Sequence, residues 1–304
     1  MIKSVTVVNY LGESIKIELT KPDVSGFVIK YITGLGPVKA EINNTEISTG
    51  DGAIYNSARL NSRNIVLGLS FLPNPTIEDT RQKSYKYFPI KKAVKLLFET
   101  DNRICECVGY VESNEPNIFD SQESTRISVI CSDPNLYSAG EEGLRVTVFS
   151  GIEALFEFPF GNESLVEDLL EFGEIQNNTE RTIVYDGDLE IGLTIHIYAI
   201  GEASNITIYN SGTREMMRIN TDKLKKLTGS GIIASDQLII TTVRNNKSVT
   251  LLRDGVYTNV LNILERDADW FQLTKGDNVF VYVAETGMTN LQFRIENQTV
   301  YEGI

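Results

Sequence analysis

The sequence predicts a mainly β protein of two domains: a β-rich N-terminal domain with one helix over residues 1–133, and a C-terminal β-sandwich or jelly roll over residues 134–304. Three observations carry this. Short runs of alternating or β-branched residues recur along the whole chain, punctuated by Gly, Asp, Asn and Pro, the pattern of strands and turns. In the first half, one segment alone carries helix start and stop signals. The charge is divided unevenly: residues 1–133 hold 15 Lys and Arg against 16 Asp and Glu, whereas residues 134–304 hold 13 against 25. A length of 304 residues suits two domains at about 100–200 residues each.

Taken in order, Ser4 to Tyr10 and Ser14 to Leu19 read as a hairpin about Leu11-Gly12-Glu13. Phe27 to Thr33 is a third strand, ended by Gly34-Leu35-Gly36-Pro37. Ala40 to Ile47 and Asn64 to Phe71 follow as strands. Between them, Ser48 to Asn56 reads as a polar, Gly-rich loop that a partner would order. The helix covers Ile77 to Tyr87. Thr76 can cap it with Asp79 three residues on, acids fill its first turn, bases its later turns, and Pro89 stops it. Ala93 to Glu99 and Arg103 to Glu112 make a hairpin about Asp101-Asn102, and Thr125 to Cys131 is the last strand before Ser132-Asp133-Pro134.

The second half is read almost wholly as strands: Arg145–Phe149, Leu155–Phe160, Arg181–Tyr185, Leu193–Ala199, Asn205–Asn210, Arg214–Asn220, Gln237–Val243, Ser248–Arg253, Asn278–Ala284 and Asn290–Glu296. A helical turn is expected from Asn162. Asp186-Gly187 and Asp254-Gly255 are dipeptides of the hairpin kind. Strands this numerous and this evenly spaced indicate a sandwich.

No constellation supports catalysis, a metal or a cofactor. His196 is the only histidine and lies on a strand face with Thr194 and Tyr198; no nucleophile-elbow sequence accompanies it, so it reads as an ordinary face residue. Cys105 and Cys107 share one strand face, and with Cys131 they read as small buried thiols, because further metal ligands are lacking nearby. Glu153, Glu157, Glu163, Glu167, Asp168, Glu171, Glu174 and Glu180 run without an intervening base, which reads as a solvated face rather than a pair of glycosidase carboxyls. Gly34-Leu35-Gly36 and Gly229-Ser230-Gly231 are turn glycines, not phosphate loops. Trp270, the only tryptophan, reads as an edge-of-core anchor, with a sugar platform as the competing role.

The charge pattern bears on partners. An acidic second half does not suit nucleic acid, and the near-neutral first half can approach copies of itself at little electrostatic cost. No apolar run nears the ~20 residues needed to span a bilayer, and Met1-Ile2-Lys3-Ser4 opens directly into a strand-like run. No membrane association is expected.

The order of parts then becomes specific. A neutral β-rich half carries its helix after Phe71-Leu72-Pro73-Asn74-Pro75, and a hairpin leads to Ser132-Asp133-Pro134-Asn135-Leu136-Tyr137. An acidic sandwich follows, with Phe156-Glu157-Phe158, Tyr185-Asp186-Gly187-Asp188 and Gly192, then Trp270-Phe271, Gly276-Asp277-Asn278 and Tyr301-Glu302-Gly303-Ile304. Over essentially its whole length this resembles the distal tail proteins, the Dit family, of long-tailed (siphovirus-type) phages and prophages of Gram-positive bacteria.

The resemblance implies a tail-tube-like N-terminal domain that forms a hexameric ring, and a galectin-like or jelly-roll C-terminal domain that projects from it. It implies a non-enzymatic baseplate hub at the virion tail tip, made and assembled in the host cytoplasm. The hub would join the tail tube protein to the tail-associated lysin or tail-spike protein, and could carry receptor-binding baseplate proteins. Within that reading the candidate assembly loop is Gly50, Asp51, Gly52, Ala53, Ile54, Tyr55 and Asn56. The competing reading is a carbohydrate-binding or adhesion protein that uses the sandwich as a lectin.

Overall fold

Apolar alternation, punctuated by turns, becomes an open antiparallel sheet in the first part of the chain. The computed structural model describes residues 1–46, 50–140, 143–153, 174–177 and 179–304, with backbone alone for 150–153 and 174–177. Two compact units emerge: Met1–Gly143 together with Val300–Ile304, and Leu144–Thr299. The expected Leu155–Phe160 strand, the helical turn from Asn162 and Phe156-Glu157-Phe158 lie outside the described residues.

The first unit runs β1 (Ile2–Val8), β2 (Ser14–Glu18), α1 (Pro22–Ser25), β3 (Phe27–Thr33), β4 (Ala40–Glu46), β5 (Ala53–Leu60), β6 (Arg63–Phe71), α2 (Ile77–Tyr87), β7 (Ala93–Thr100), β8 (Ile104–Asn117), β9 (Ser124–Cys131) and β10 (Leu136–Ser138). Its main sheet has the order β2-β1-β7-β8-β9-β6-β3. Alternate residues point inward, so Val5, Val7, Leu67, Leu69, Leu96, Phe98, Ile127 and Val129 form a dry core. Each such side chain contributes roughly 1.5–3 kcal/mol by leaving water. The helix forms where its caps place it: Thr76 accepts from the Asp79 N–H, and Phe88 closes the last turn onto Ser84. Its buried face is small and polar. Thr80 Oγ1 donates to the Leu72 carbonyl at 2.7 Å, and Asn114 Nδ2 donates to the Ser84 carbonyl at 3.3 Å.

Two features of this unit differ from the sequence reading. A one-turn helix, α1, opens at Pro22 and ends at Gly26 with φ +83°; proline suits a first turn and glycine a left-handed end. Ala53–Asn56 is strand, not loop, because β5 pairs with β4 from Ala53 to Leu60. Gly50-Asp51-Gly52 weakens any local strand signal, and the pairing partner outweighs it.

The unit is tied together by Arg63, which is 1% exposed. Its Nε donates to the Pro134 carbonyl at 2.6 Å, Nη1 to those of Gly34 at 2.6 Å and Gly36 at 2.8 Å, and Nη2 to that of Glu302 at 2.7 Å. Among the described residues no carboxylate ion-pairs with it. Burial holds the guanidinium below its ordinary pKa, yet it stays charged, as arginine does in proteins. Four carbonyl oxygens stand in for water and counter-ion.

The second unit runs β11 (Leu144–Val148), β12 (Ser150–Glu153), β13 (Glu174–Asn177), β14 (Glu180–Tyr185), β15 (Ile191–Gly192), β16 (Thr194–Ala199), β17 (Ser204–Asn210), β18 (Glu215–Ile219), α3 (Thr221–Thr228), β19 (Gln237–Thr241), β20 (Ser248–Arg253), β21 (Val256–Asn259), β22 (Gln272–Leu273), β23 (Gly276–Thr286) and β24 (Leu291–Gln298); β25 (Val300–Tyr301) then returns to pair with β10. A six-stranded sheet, β11-β24-β16-β19-β20-β21, and a four-stranded sheet, β14-β23-β17-β18, share one core. There Tyr282 stacks on Phe293 at 3.8 Å and Phe271 meets Phe280 edge-on at 5.4 Å. The architecture is the expected β-sandwich.

Asp254-Gly255 makes a two-residue hairpin turn: φ is +50° and +77°, and Arg253 pairs with Val256. Asp186-Gly187 does not. The strand before it, β14, pairs with β23 instead, so a local turn preference is overruled by distant pairing. The α3 helix has an Asn220 cap on the Lys223 N–H and a Gly229 end at φ +86°. Those signals stand in the sequence, but there Gly229 reads only as a turn glycine.

Replacing Arg63 by Leu should leave these carbonyls unpaired and cost the first unit about 3–5 kcal/mol. Calorimetry should show one transition lowered, while Trp270 fluorescence, which reports on the second unit, keeps its midpoint. A single unchanged calorimetric profile would contradict the clamp.

Candidate functional site

The feature that stands apart is the β4–β5 hairpin. Its strands pair with one another and with no other described strand. Every residue of β5, and all of β4 except Ala40, is exposed. Register sorts the side chains by face. Ala40 opposes Leu60, Ile42 opposes Ala58, and Asn44 opposes Tyr55; the pairs Glu41–Arg59, Asn43–Ser57 and Thr45–Ile54 take the other side.

The register shift between Asn43 and Asn44 makes Asn56 the extra residue, and its Nδ2 donates to Thr45 Oγ1 at 2.7 Å. That bulge places Tyr55 on the side of Ile42 and Ala58 rather than on the polar side. The other side carries an Arg59–Glu41 ion pair at 2.7 Å, with Ile54 as its one large apolar side chain. The apolar side leaves Ile42 58%, Tyr55 63% and Leu60 45% exposed. A lone two-stranded hairpin is marginal in water, so an amphipathic one of this length is suited to covering by a partner.

The base of the hairpin is fixed. Gly34, at φ +84°, packs so closely that a Cβ would sit 2.0 Å from the Asn64 carbonyl oxygen. Its own carbonyl and that of Gly36 are held by Arg63. Of the candidate assembly residues, Gly50, Asp51 and Gly52 lie at the turn and Ala53, Ile54, Tyr55 and Asn56 in β5. Reading the sequence as a loop misses Ile42, Ala58 and Leu60. Their alternation with Glu41, Asn43 and Arg59 is the signal that could have found them.

The other candidates are dispersed. His196 accepts at Nδ1 from Gln237 Nε2 at 3.1 Å, and its Nε2 lies 3.3 Å from Glu296 Oε2, which leans on Arg294. Cys105, Cys107 and Cys131 are buried, and the Cys107 and Cys131 sulfurs lie 3.8 Å apart. That contact, with burial, pushes the Cys107 thiol well up, so it is unreactive.

Trp270 is packed against the sandwich core, and Lys247 Nζ sits 5.1 Å above its ring. A sugar stacking there would have to displace that ammonium. Beside it is an open groove of about 470 Å³ whose Glu265 carboxylate is held below its usual range by Lys223, then by Asn220. Of the acidic run, Glu180 is exposed in β14; Glu157, Glu163, Glu167, Asp168 and Glu171 lie outside the described residues, as do the side chains of Glu153 and Glu174. Among the described residues no three His, Cys, Asp or Glu groups gather as a metal site.

No protein-family model and no curated protein matches the chain. Solved structures do. The SPP1 Dit protein, described as a paradigm of the hub adsorption apparatus in phages infecting Gram-positive bacteria, aligns with a TM-score of 0.66 at 11% identity, over 97% of this chain and 98% of that chain. A chain of the phage P2 baseplate in its activated conformation with Ca aligns with a TM-score of 0.47 at 10% identity, covering 98% of each chain. The same baseplate with Sr gives 0.45 at 10% identity, covering 97% of each. The fold of this chain is similar to that of the SPP1 Dit protein.

The exposure of the hairpin sets an expectation for stability. Ile42→Ser or Tyr55→Ser should shift the urea unfolding free energy by less than about 0.5 kcal/mol, against about 2–5 kcal/mol for the buried Leu67→Ala. A loss near the core value at Tyr55 would mean that the hairpin packs within its own chain.

Proposed function

We propose that this chain is a structural protein of a phage tail tip, a Dit-type hub that works by holding partners in register rather than by catalysis. Copies join through the first unit into a ring, a hexamer in the simplest case. The ring links the tail tube to the tail-associated lysin or tail-spike protein and to receptor-binding baseplate parts. It acts in the virion tail tip after assembly in the host cytoplasm.

The observation that carries this reading is the likeness to the SPP1 Dit fold over 97% of this chain and 98% of that one. It spans both units, and a sandwich alone would fit many functions. The surface supports it. The β4–β5 hairpin presents an apolar side, and covering that side with a neighbouring copy would remove Ile42, Tyr55 and Leu60 from water. Electrostatics favour the first unit as the assembling one. It holds 15 basic against 19 acidic residues, while the second holds 13 against 22, so crowding copies of the second unit costs more.

The test is the mass of the purified protein by light scattering, with negative-stain images. The unaltered protein should give rings with a central hole. The triple variant Ile42→Ser, Tyr55→Ser, Leu60→Ser should remain monomeric with an unchanged melting temperature. Monomers at every concentration for the unaltered protein would contradict the hub; rings from the variant would contradict the hairpin's part in it.

A further inference from the structure

The hub reading leaves open how one copy meets the next beyond the hairpin, and strand β8 offers an answer at its two ends. At its far end the β8–β9 turn presents Ile118 and Phe119, which are 43% and 94% exposed. The stem behind them is braced. Arg81 pairs with Glu123 at 2.9 Å, and Thr125 Oγ1 donates to Asn114 Oδ1 at 2.6 Å. Across the turn Asn117 Nδ2 donates to Asp120 Oδ2 at 2.6 Å. A turn braced this way loses little backbone freedom on docking, so an exposed phenyl ring at its tip has the character of an interface anchor.

At the near end of β8 the turn at Asp101–Arg103 borders a cleft of about 300 Å³. Ile2, Leu35 and Ile304 supply its apolar walls, and Asp101 and Arg103 its rim. Its space equals that of roughly ten waters, enough for a phenyl ring. The strand between has 14 residues, so finger and cleft stand roughly 45 Å apart. Phe119 cannot fill the cleft of its own chain.

Charge fits the same pairing. From Glu112 to Glu123 the finger carries Glu112, Glu115, Asp120 and Glu123 and no Lys or Arg. Glu123 pairs with Arg81 and Arg126 lies across from Glu115, so the finger keeps an excess of acids, with Asp120 at its tip. On the cleft's rim Arg103 stands with Asp101, and Lys3, just outside the cleft, contacts Asp101 at 3.5 Å. Finger against finger would set acids together, whereas finger against cleft sets acids beside bases.

Resting on the hub reading, we infer that copies of this chain dock head to tail, with Ile118 and Phe119 of one entering the Ile2, Leu35 and Ile304 cleft of the next. Such a contact is heterologous, and it closes into a ring when the rotation between copies closes.

Engineered cross-linking tests it. The three native cysteines are buried, so new surface thiols report alone. Phe119→Cys and Asn102→Cys proteins are mixed in equal amounts under mild oxidation with glutathione disulfide and run on non-reducing gels. The expected result is a mixed dimer absent from either protein alone, and a ladder from the double variant. Phe119→Ser should weaken self-association by roughly tenfold or more with unchanged melting, and Phe119→Leu should largely restore it. Oligomers without the mixed cross-link, or Phe119→Cys cross-linking equally well to itself, would overturn the docking and leave the hub standing. Absence of any oligomer would overturn both.

Discussion

The first unit depends on one buried cation. Taking a guanidinium out of water costs several kcal/mol, and here the cost is offset by charge-assisted hydrogen bonds to four carbonyl oxygens. The carbonyls come from three places: the turn after β3, the segment that leaves β9, and the C-terminal segment that follows β25. Arg103 stacks on Tyr301 at 4.4 Å, and the Ile304 N–H donates to the Leu35 carbonyl at 3.0 Å, so the same C-terminal segment is held twice more. The turn it lies on is the turn from which the β4–β5 hairpin springs. Arg63 thereby gives the exposed hairpin a fixed root.

Local chemistry made much of this fold legible. The α2 helix stands where Thr76, Asp79 and Pro89 place it, because capping is decided within a few residues. Strands with one dry face, such as Ser248–Arg253, coincide with their sequence ranges, because alternation is also local. What escaped was set from a distance. Arg63 looks like an ordinary strand-end arginine, since its acceptors lie 27 to 239 residues away. Asp254-Gly255 and Asp186-Gly187 are equivalent as dipeptides, yet only the first joins paired strands. The candidate site was half legible. Gly50 to Asn56 marks the hairpin, and the alternation of Ile42, Ala58 and Leu60 was there to be read, but the bulge at Asn56, which brings Tyr55 onto their side, is set by pairing and shows in no single-strand pattern.

At 11% identity the likeness to the SPP1 Dit protein is a likeness of fold, and folds persist when the dry faces keep their alternation while their residues change. Function must then be carried by the surface. Among the described residues, His196, the thiols and Trp270 each have an ordinary structural occupation. What the surface offers is apolar area held out on rigid supports, at the β4–β5 hairpin and at the β8–β9 tip. Monomers seldom keep such features without a partner.

Hydrogen exchange of the backbone amides, followed from dilute monomer to assembled particle, tests the central claim most directly. In the monomer the β4–β5 amides should exchange fast, because a lone hairpin opens readily, while those of β6 and β16 remain protected. On assembly the β4–β5 amides should become protected and the sandwich core should not change. Equal exchange of β4–β5 in monomer and particle would contradict the account.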